Sequence, residues 1–252
     1  MRVAFVGKGG AGKSSLAGTF ARVLAATGQR VLALDSDPMP GLAFSLGVEQ
    51  TDAGLPEEAV VEYEQDGRRC FRLREGLTGT TAVEQYAVRA PDGVRFVQLG
   101  KARGPRWNNT LQHFAYQRVL DDLPHAGWSI VGDLPGGTKQ PYFTWGRFAE
   151  TFLVVVEPTP ASVLTGRRLA RLTAMSSAPE VMVVVNKLRT PQDAVAVAER
   201  TGLPLLGAVP FDPEVGEADR RGRPVLDHEP NGATATAVRS LVEALLTRTE
   251  SP

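Results

Sequence analysis

The chain has 252 residues, 42% of them hydrophobic, enough for one large α/β unit with a substantial core. Lys and Arg together number 28, as do Asp and Glu, and the zero formal charge argues against a surface built wholly to hold nucleic acid or anionic lipid. One cysteine, Cys70, rules out an intrachain disulfide; with no signal peptide and no apolar run near the ~18 residues that span a bilayer, a cytoplasmic protein is expected.

Short β-rich runs recur at 3–6, 31–34, 96–99, 130–131, 152–156, 181–185 and 205–209, with helical stretches between them. Runs such as Phe-Leu-Val-Val-Val do not alternate with polar residues, which predicts a mostly parallel sheet of about seven strands covered by helices on both faces. The first helix is expected over 14–27, stopped by Gly28. The stretch 48–95 is the least regular, and its end reads as two strands around a Pro91-Asp92-Gly93 turn. Thr159-Pro160 and Thr190-Pro191 each place an N-cap before a proline at the first helical position, and Asp193 completes a pattern like a capping box. A last helix is expected over 233–247. The chain therefore reads as one domain, 1–252, with a peripheral insertion at about 48–93 that is either a partner surface or a plain excursion.

Gly7-Lys8-Gly9-Gly10-Ala11-Gly12-Lys13-Ser14 fits G-x-x-x-x-G-K-[ST], after a buried strand and before a helix. Backbone N–H groups from Gly9 to Ser15 can curl around phosphate oxygens at the positive end of the helix. In such a loop Lys13 reaches the β- and γ-phosphates and the Ser14 hydroxyl ligates Mg²⁺, so ATP and Mg²⁺ are the expected cofactors.

With Lys8, the loop reads Lys-Gly-Gly-x-Gly-Lys-Ser and resembles the deviant Walker motif of the MinD/ParA family of SIMIBI-class P-loop ATPases. The resemblance implies a homodimer in the ATP state, with Lys8 reaching the partner's nucleotide as an arginine finger does. Taken alone, Lys8 reads equally as a solvated loop lysine. Asp35-Ser36-Asp37-Pro38 resembles the family's D-x-D-P switch, which implies that Asp37 positions or activates the attacking water and that Asp35 supports Mg²⁺ or the loop. The stretch from Ser129 to Gly137 resembles the second switch, with Asp133 holding Mg²⁺ through water and Gly136 and Gly137 as the hinge. Either aspartate alone would read as a helix cap or turn residue.

Guanine-specific relatives carry N-K-x-D, whereas here Asn186-Lys187 is followed by Arg189 at the aspartate position, so GTP is not expected. The resemblance gives Asn186 a contact with adenine and makes Pro210, Phe211 and Asp212 part of the loop beside the base; Phe211 reads equally as a core aromatic.

The likeness covers 1–47, 94–157 and 181–249, and Leu99-Gly100-Lys101 before a helix near 111 points to the nickel-insertion ATPases of carbon monoxide dehydrogenase. Two departures matter. The Cys-x-Cys pair of that subgroup is missing between Lys101 and the helix, and the cluster cysteines of the nitrogenase iron protein are missing after Asp133. No transition metal or iron–sulfur cluster is therefore expected, and His113 near the lost pair reads as an ordinary helix residue. The expectation is an Mg-ATP-hydrolysing dimerisation switch, slow and partner-stimulated, that drives an unidentified client protein. Alternatives are a partition or positioning ATPase, with Lys101, Arg103, Arg106, Arg220, Arg221 and Arg223 as basic groups, and a nucleotide-gated adaptor with little turnover.

Overall fold

Apolar side chains on both sides of the long strands leave no face for water, and every residue of β1 (Arg2–Gly7), β2 (Val31–Asp35) and β7 (Ser129–Asp133) is buried. The computed structural model describes residues 1–37, 41–49, 54–98, 110–138, 146–174 and 180–250. Between β1 and β2 runs α1 (Lys13–Ala26), and α2 (Leu42–Leu46) follows β2. A hairpin of β3 (Val60–Gln65) and β4 (Arg68–Leu73), then α3 (Gly79–Tyr86), β5 (Val88–Arg89), β6 (Arg95–Gln98) and α4 (Thr110–Asp122), lead into β7. The second half alternates regularly: β8 (Thr151–Val156), α5 (Pro160–Ala174), β9 (Glu180–Leu188), α6 (Asp193–Thr201) and β10 (Leu205–Pro210). Three helices close the chain: α7 (Pro213–Arg220), α8 (Val225–His228) and α9 (Ala233–Glu250).

The main sheet has eight strands in the order β10-β9-β8-β1-β7-β2-β6-β5. All its pairings are parallel except β5 against β6 at the edge. That antiparallel pair is the one expected around Pro91-Asp92-Gly93; it adds a two-residue strand to the seven read from apolar runs. Val3, Phe5, Ala33, Phe96, Val131 and Leu153 pack toward α1, α2 and α9. Their alternating neighbours Ala4, Val6, Leu32, Leu34, Ile130 and Val154 pack toward α3, α4, α5 and α6. No helix among the described residues is long and apolar enough to cross a membrane.

Local signals set the boundaries with two exceptions. α1 ends at Ala26 with Thr27 as its C-cap and Gly28 at φ 90°, and α5 begins at Pro160, where Thr159 Oγ1 accepts from Ser162 N at 3.4 Å. The capping box at Thr190 does not form. α6 starts at Asp193 behind Gln192, and Asp193 N donates to the Thr190 carbonyl at 3.0 Å, so a tight backbone turn replaces the side-chain cap. The hairpin β3–β4 adds a pair that the apolar runs do not predict, because Glu, Gln and Arg interrupt its Val, Tyr, Cys, Phe and Leu residues. Its Asp66-Gly67 turn, φ 51° and 70°, is of the mirror-image kind whose twist suits paired strands. Phe71 fastens it to α4 by stacking on Phe114 with ring centroids 3.8 Å apart.

Candidate functional site

The phosphate loop leaves the carboxyl end of β1, where the sheet order reverses: the chain goes next to β2 on one side, and later to β8, β9 and β10 on the other. Open α/β sheets bind ligands at such a switch point. Two glycines are required by geometry. A Cβ on Gly7 would lie 2.4 Å from the Val155 carbonyl oxygen, and one on Gly12, at φ 92°, would lie 2.3 Å from Asn186 Nδ2.

The loop is braced from β9. Asn186 Nδ2 donates to the Ala11 carbonyl at 2.8 Å, and Asn186 Oδ1 accepts from Lys187 N at 2.9 Å. Lys187 Nζ donates to the Gly10 carbonyl at 2.7 Å and pairs with Glu157 Oε1 at 2.6 Å. Lys187 itself has φ 59°, a backbone conformation that non-glycine residues adopt at modest cost and often at functional sites. With two successive carbonyls held toward β9, the loop amides are left to an anion on the other side. Lys13 is buried, and its Nζ donates to the Lys8 carbonyl at 3.4 Å, while the Lys8 side chain stands exposed.

Asp35 and Asp133 face each other in register at the ends of β2 and β7. Asp35 is fully buried; Oδ1 accepts from Asp37 N and Oδ2 from Leu42 N, both at 3.0 Å. Burial pushes its carboxyl up to about 6 against the pull of those amides. Both oxygens thus accept from backbone amides of the segment that follows β2. Asp133, 1% exposed, is pushed up to about 7, by burial first and then by the charge of Asp35. Ser14 pulls it back down, and among the described residues its Oδ1 is buried without a hydrogen-bond partner. A lone carboxylate oxygen beside a serine hydroxyl is a hard-oxygen donor set that fits Mg²⁺. The second switch lies against the loop: Gly137 N donates to the Gly7 carbonyl at 3.2 Å, and a Cβ on Gly136 would approach Gly9 N to 3.1 Å. Asp37 is half-buried next to Asp35. Pro38 to Pro40, and Lys101, Arg103 and Arg106, lie outside the described residues.

A cleft of ≈ 680 Å³ runs from Gly10, Gly12, Lys13, Ser14 and Ser15 to Asn186, Pro210, Phe211 and Asp212, joining motifs far apart in the chain. Gly9 and Ala11 do not line it; Ala11 is fully buried beneath the loop. Phe211 is 46% exposed, with the Arg189 guanidinium 4.5 Å over its ring, so it is not a core aromatic. Asp212 caps α7 by accepting from Glu214 N at 3.0 Å, and ties α7 to α9 by accepting from Thr234 N and Oγ1 at 3.1 and 2.9 Å. Lys187 and Glu157 were missed as site residues, although Asn186-Lys187 was noted, since only the fold brings them to Gly10.

Of the basic groups named from sequence, Arg220 and Arg221 are both paired with Glu217, Arg221 Nε at 2.7 Å. His113 is half-buried edge-on to Phe114, and burial holds its pKa down; His125 pairs with Glu150 and His228 with Glu214. Among the described residues no group of three or more His, Cys, Asp or Glu side chains converges on a metal position.

A parallel sheet with a braced glycine loop at its switch point and two buried aspartates opposite defines a P-loop nucleotide-binding protein. The chain belongs to the CobQ/CobB/MinD/ParA nucleotide binding domain family, whose pattern matches residues 3–225, and is a P-loop ATPase of the MinD/ParA type. It is similar to the carbon monoxide dehydrogenase accessory protein CooC of Rhodospirillum rubrum, 28% identical over 267 residues that cover 98% of this chain and 97% of that protein. It is also similar to an iron–sulfur cluster carrier protein of Deinococcus radiodurans, 27% identical over 95% of this chain and 67% of that protein. The fold is that of the septum site-determining protein MinD from Pyrococcus horikoshii, solved with Mg-ADP: TM-score 0.74, 18% identity, 99% and 97% of the two chains covered. A ParA family ATPase from Chlorobium tepidum matches with TM-score 0.75 at 15% identity, over 97% and 98%.

Proposed function

We propose that this protein is an Mg-ATP-dependent dimerisation switch that hydrolyses ATP slowly and drives a client protein through closure and reopening. The observation that carries the reading is the unpaired Oδ1 of Asp133, buried beside Ser14 at the mouth of a loop whose carbonyls are braced away from the cleft. Mg²⁺ held by Ser14 and, through water, by Asp133 would neutralise charge on the β- and γ-phosphates. Lys13, lightly tied in the free protein, is available to the same phosphates. Asp37 positions the attacking water, and the exposed Lys8 serves a second copy of the chain. Phe211 and Pro210 offer the base a platform, while Asn186 and Asp212, with bonds already made to the backbone, shape the pocket as much as they touch the ligand.

The relatives named for carbon monoxide dehydrogenase and for iron–sulfur clusters make a metalloprotein a reasonable client. The chain itself, with one cysteine, is proposed to carry no transition metal of its own. Calorimetry with Mg-ATP, Mg-GTP and the Lys13→Ala variant tests the nucleotide reading. ATP should bind, GTP should compete poorly, and Lys13→Ala should abolish binding. Equal affinity for both nucleotides would remove the adenine assignment.

A further inference from the structure

The outer face of α5 carries charge that no carboxylate among the described residues neutralises. Helix α5 reads Pro-Ala-Ser-Val-Leu-Thr-Gly-Arg-Arg-Leu-Ala-Arg-Leu-Thr-Ala and has no acidic residue. Val163 and Leu169 point into the core, and Gly166 seats the helix on α6, where a Cβ would come within 2.9 Å of Thr201 Cγ2. The opposite side shows Leu164, 47% exposed, with Arg167, Arg168 and Arg171 exposed below it. Spacings of three and four residues bring these four side chains onto one stripe.

Exposed Arg30, Arg69, Arg220, Arg221 and Arg248 are each paired with a carboxylate. Among the described residues, none pairs with Arg167, Arg168 or Arg171. Three arginines and no acidic residue on one helix leave the outer face of α5 positive. Neighbouring α6 sets Asp193 and Glu199 against Arg200, adding no positive charge. With Leu164 among its arginines, the stripe is basic and apolar together.

The first turn of α5 also touches the phosphate loop through a short chain of bonds. Ser162 Oγ accepts from Glu157 N at 3.0 Å, Glu157 pairs with Lys187 at 2.6 Å, and Lys187 donates to the Gly10 carbonyl at 2.7 Å. A load on α5 therefore bears on the residue that orients the loop.

We propose that the Leu164–Arg168–Arg171 stripe of α5, with Arg167 beside it, docks an acidic, partly apolar segment of a partner protein, and that docking is relayed to the phosphate loop through Glu157 and Lys187. Charge complementarity selects the acidic partner. Leu164 selects a protein over a duplex, because a phosphate backbone offers an exposed leucine nothing to bury against. The docking half stands on the surface alone; the relay half rests on the ATPase reading.

The test uses the full chain and a fluorescein-labelled helical peptide built from glutamate and leucine, with duplex DNA of equal length as the comparison. The peptide should bind, more weakly as salt rises. The Arg167→Glu/Arg168→Glu/Arg171→Glu variant should lose about tenfold or more in affinity while keeping its basal ATPase and circular dichroism. Leu164→Ser should weaken the peptide but leave any residual DNA binding unchanged. Saturating peptide should change ATP turnover in the wild type, and Glu157→Gln should abolish that change without affecting peptide affinity. Unchanged peptide binding by the triple variant would overturn the docking surface, as would tighter, stripe-dependent binding of the duplex. Peptide binding to a protein with no turnover would uphold the surface, and overturn the relay together with the ATPase reading. Turnover that responds equally in wild type and Glu157→Gln would overturn the relay alone.

Discussion

Asn186→Ala separates a brace from a base contact. Asn186 is 6% exposed and its amide joins Ala11 to Lys187 N. Truncation leaves the carbonyl of Ala11, itself fully buried, without its partner, a loss of about 1–3 kcal/mol. The freed Lys187 N–H adds about 0.5–1.5 kcal/mol. A total near 2–4 kcal/mol is a large share of the ~5–15 kcal/mol that keeps a domain folded. For a chain of this size it corresponds to a melting temperature lower by about 5–12 °C with no nucleotide present. A double-mutant cycle with Gly12→Ala sharpens the result. In the wild-type background the new methyl meets Asn186 Nδ2 at 2.3 Å; with Asn186 truncated that clash is gone and only the backbone strain at φ 92° persists, about 1–2 kcal/mol. The two changes should therefore cost less together than apart, by at least about 1 kcal/mol. Urea and thermal unfolding of the four apo proteins give the cycle. An unchanged apo melting temperature with weakened ATP binding would refute the brace and make Asn186 a base contact only; additive effects would deny the contact with Gly12.

Three further outcomes are expected. Lys8→Ala should keep nucleotide affinity but lose hydrolysis and ATP-dependent dimerisation, read by turnover and light scattering; normal turnover would show that Lys8 does not act in trans. Because Asp133 is raised to about 7 in the fold, the folded apo protein holds a proton that the unfolded chain releases near pH 4. Its stabilising contribution is complete below about pH 4 and lost by about pH 7, so the melting temperature of Asp133→Asn relative to wild type should climb across that window and level off above it. A constant difference would mean that the carboxylate is charged throughout. Elemental analysis of protein purified without chelator should find less than one Ni, Zn or Fe per dimer, and a full equivalent lost on changing Cys70 or His113 would overturn the proposal of a metal-free chain.

What the sequence revealed was local chemistry. Gly12-Lys13-Ser14 and the strand-ending Asp35 and Asp133 each follow a buried run, so their placement needs no knowledge of distant contacts. The Pro91-Asp92-Gly93 turn was legible for the same reason. Lys187 was not, because its role depends on Gly10, 177 positions earlier, and on Glu157, and no spacing rule links them. The resemblance set Asp212 in the loop beside the base; it lines the cleft, and it also caps the next helix and holds Thr234 of another, which no local pattern announced. The hairpin β3–β4 escaped notice because Glu, Gln and Arg interrupt its apolar residues and leave no apolar run, with Asp66-Gly67 as its turn.

That hairpin gives the molecule a handle. Residues 61–69 are exposed, neither strand lines the nucleotide cleft, and attachment runs through Phe71 at the base. A dye or affinity tag spliced between Asp66 and Gly67 would ride on a stiff two-stranded lever, with the cleft and the α5 stripe untouched. Two chains labelled there would bring their dyes together or apart as a dimer closed and opened, turning a surface excursion into a ruler for the nucleotide cycle.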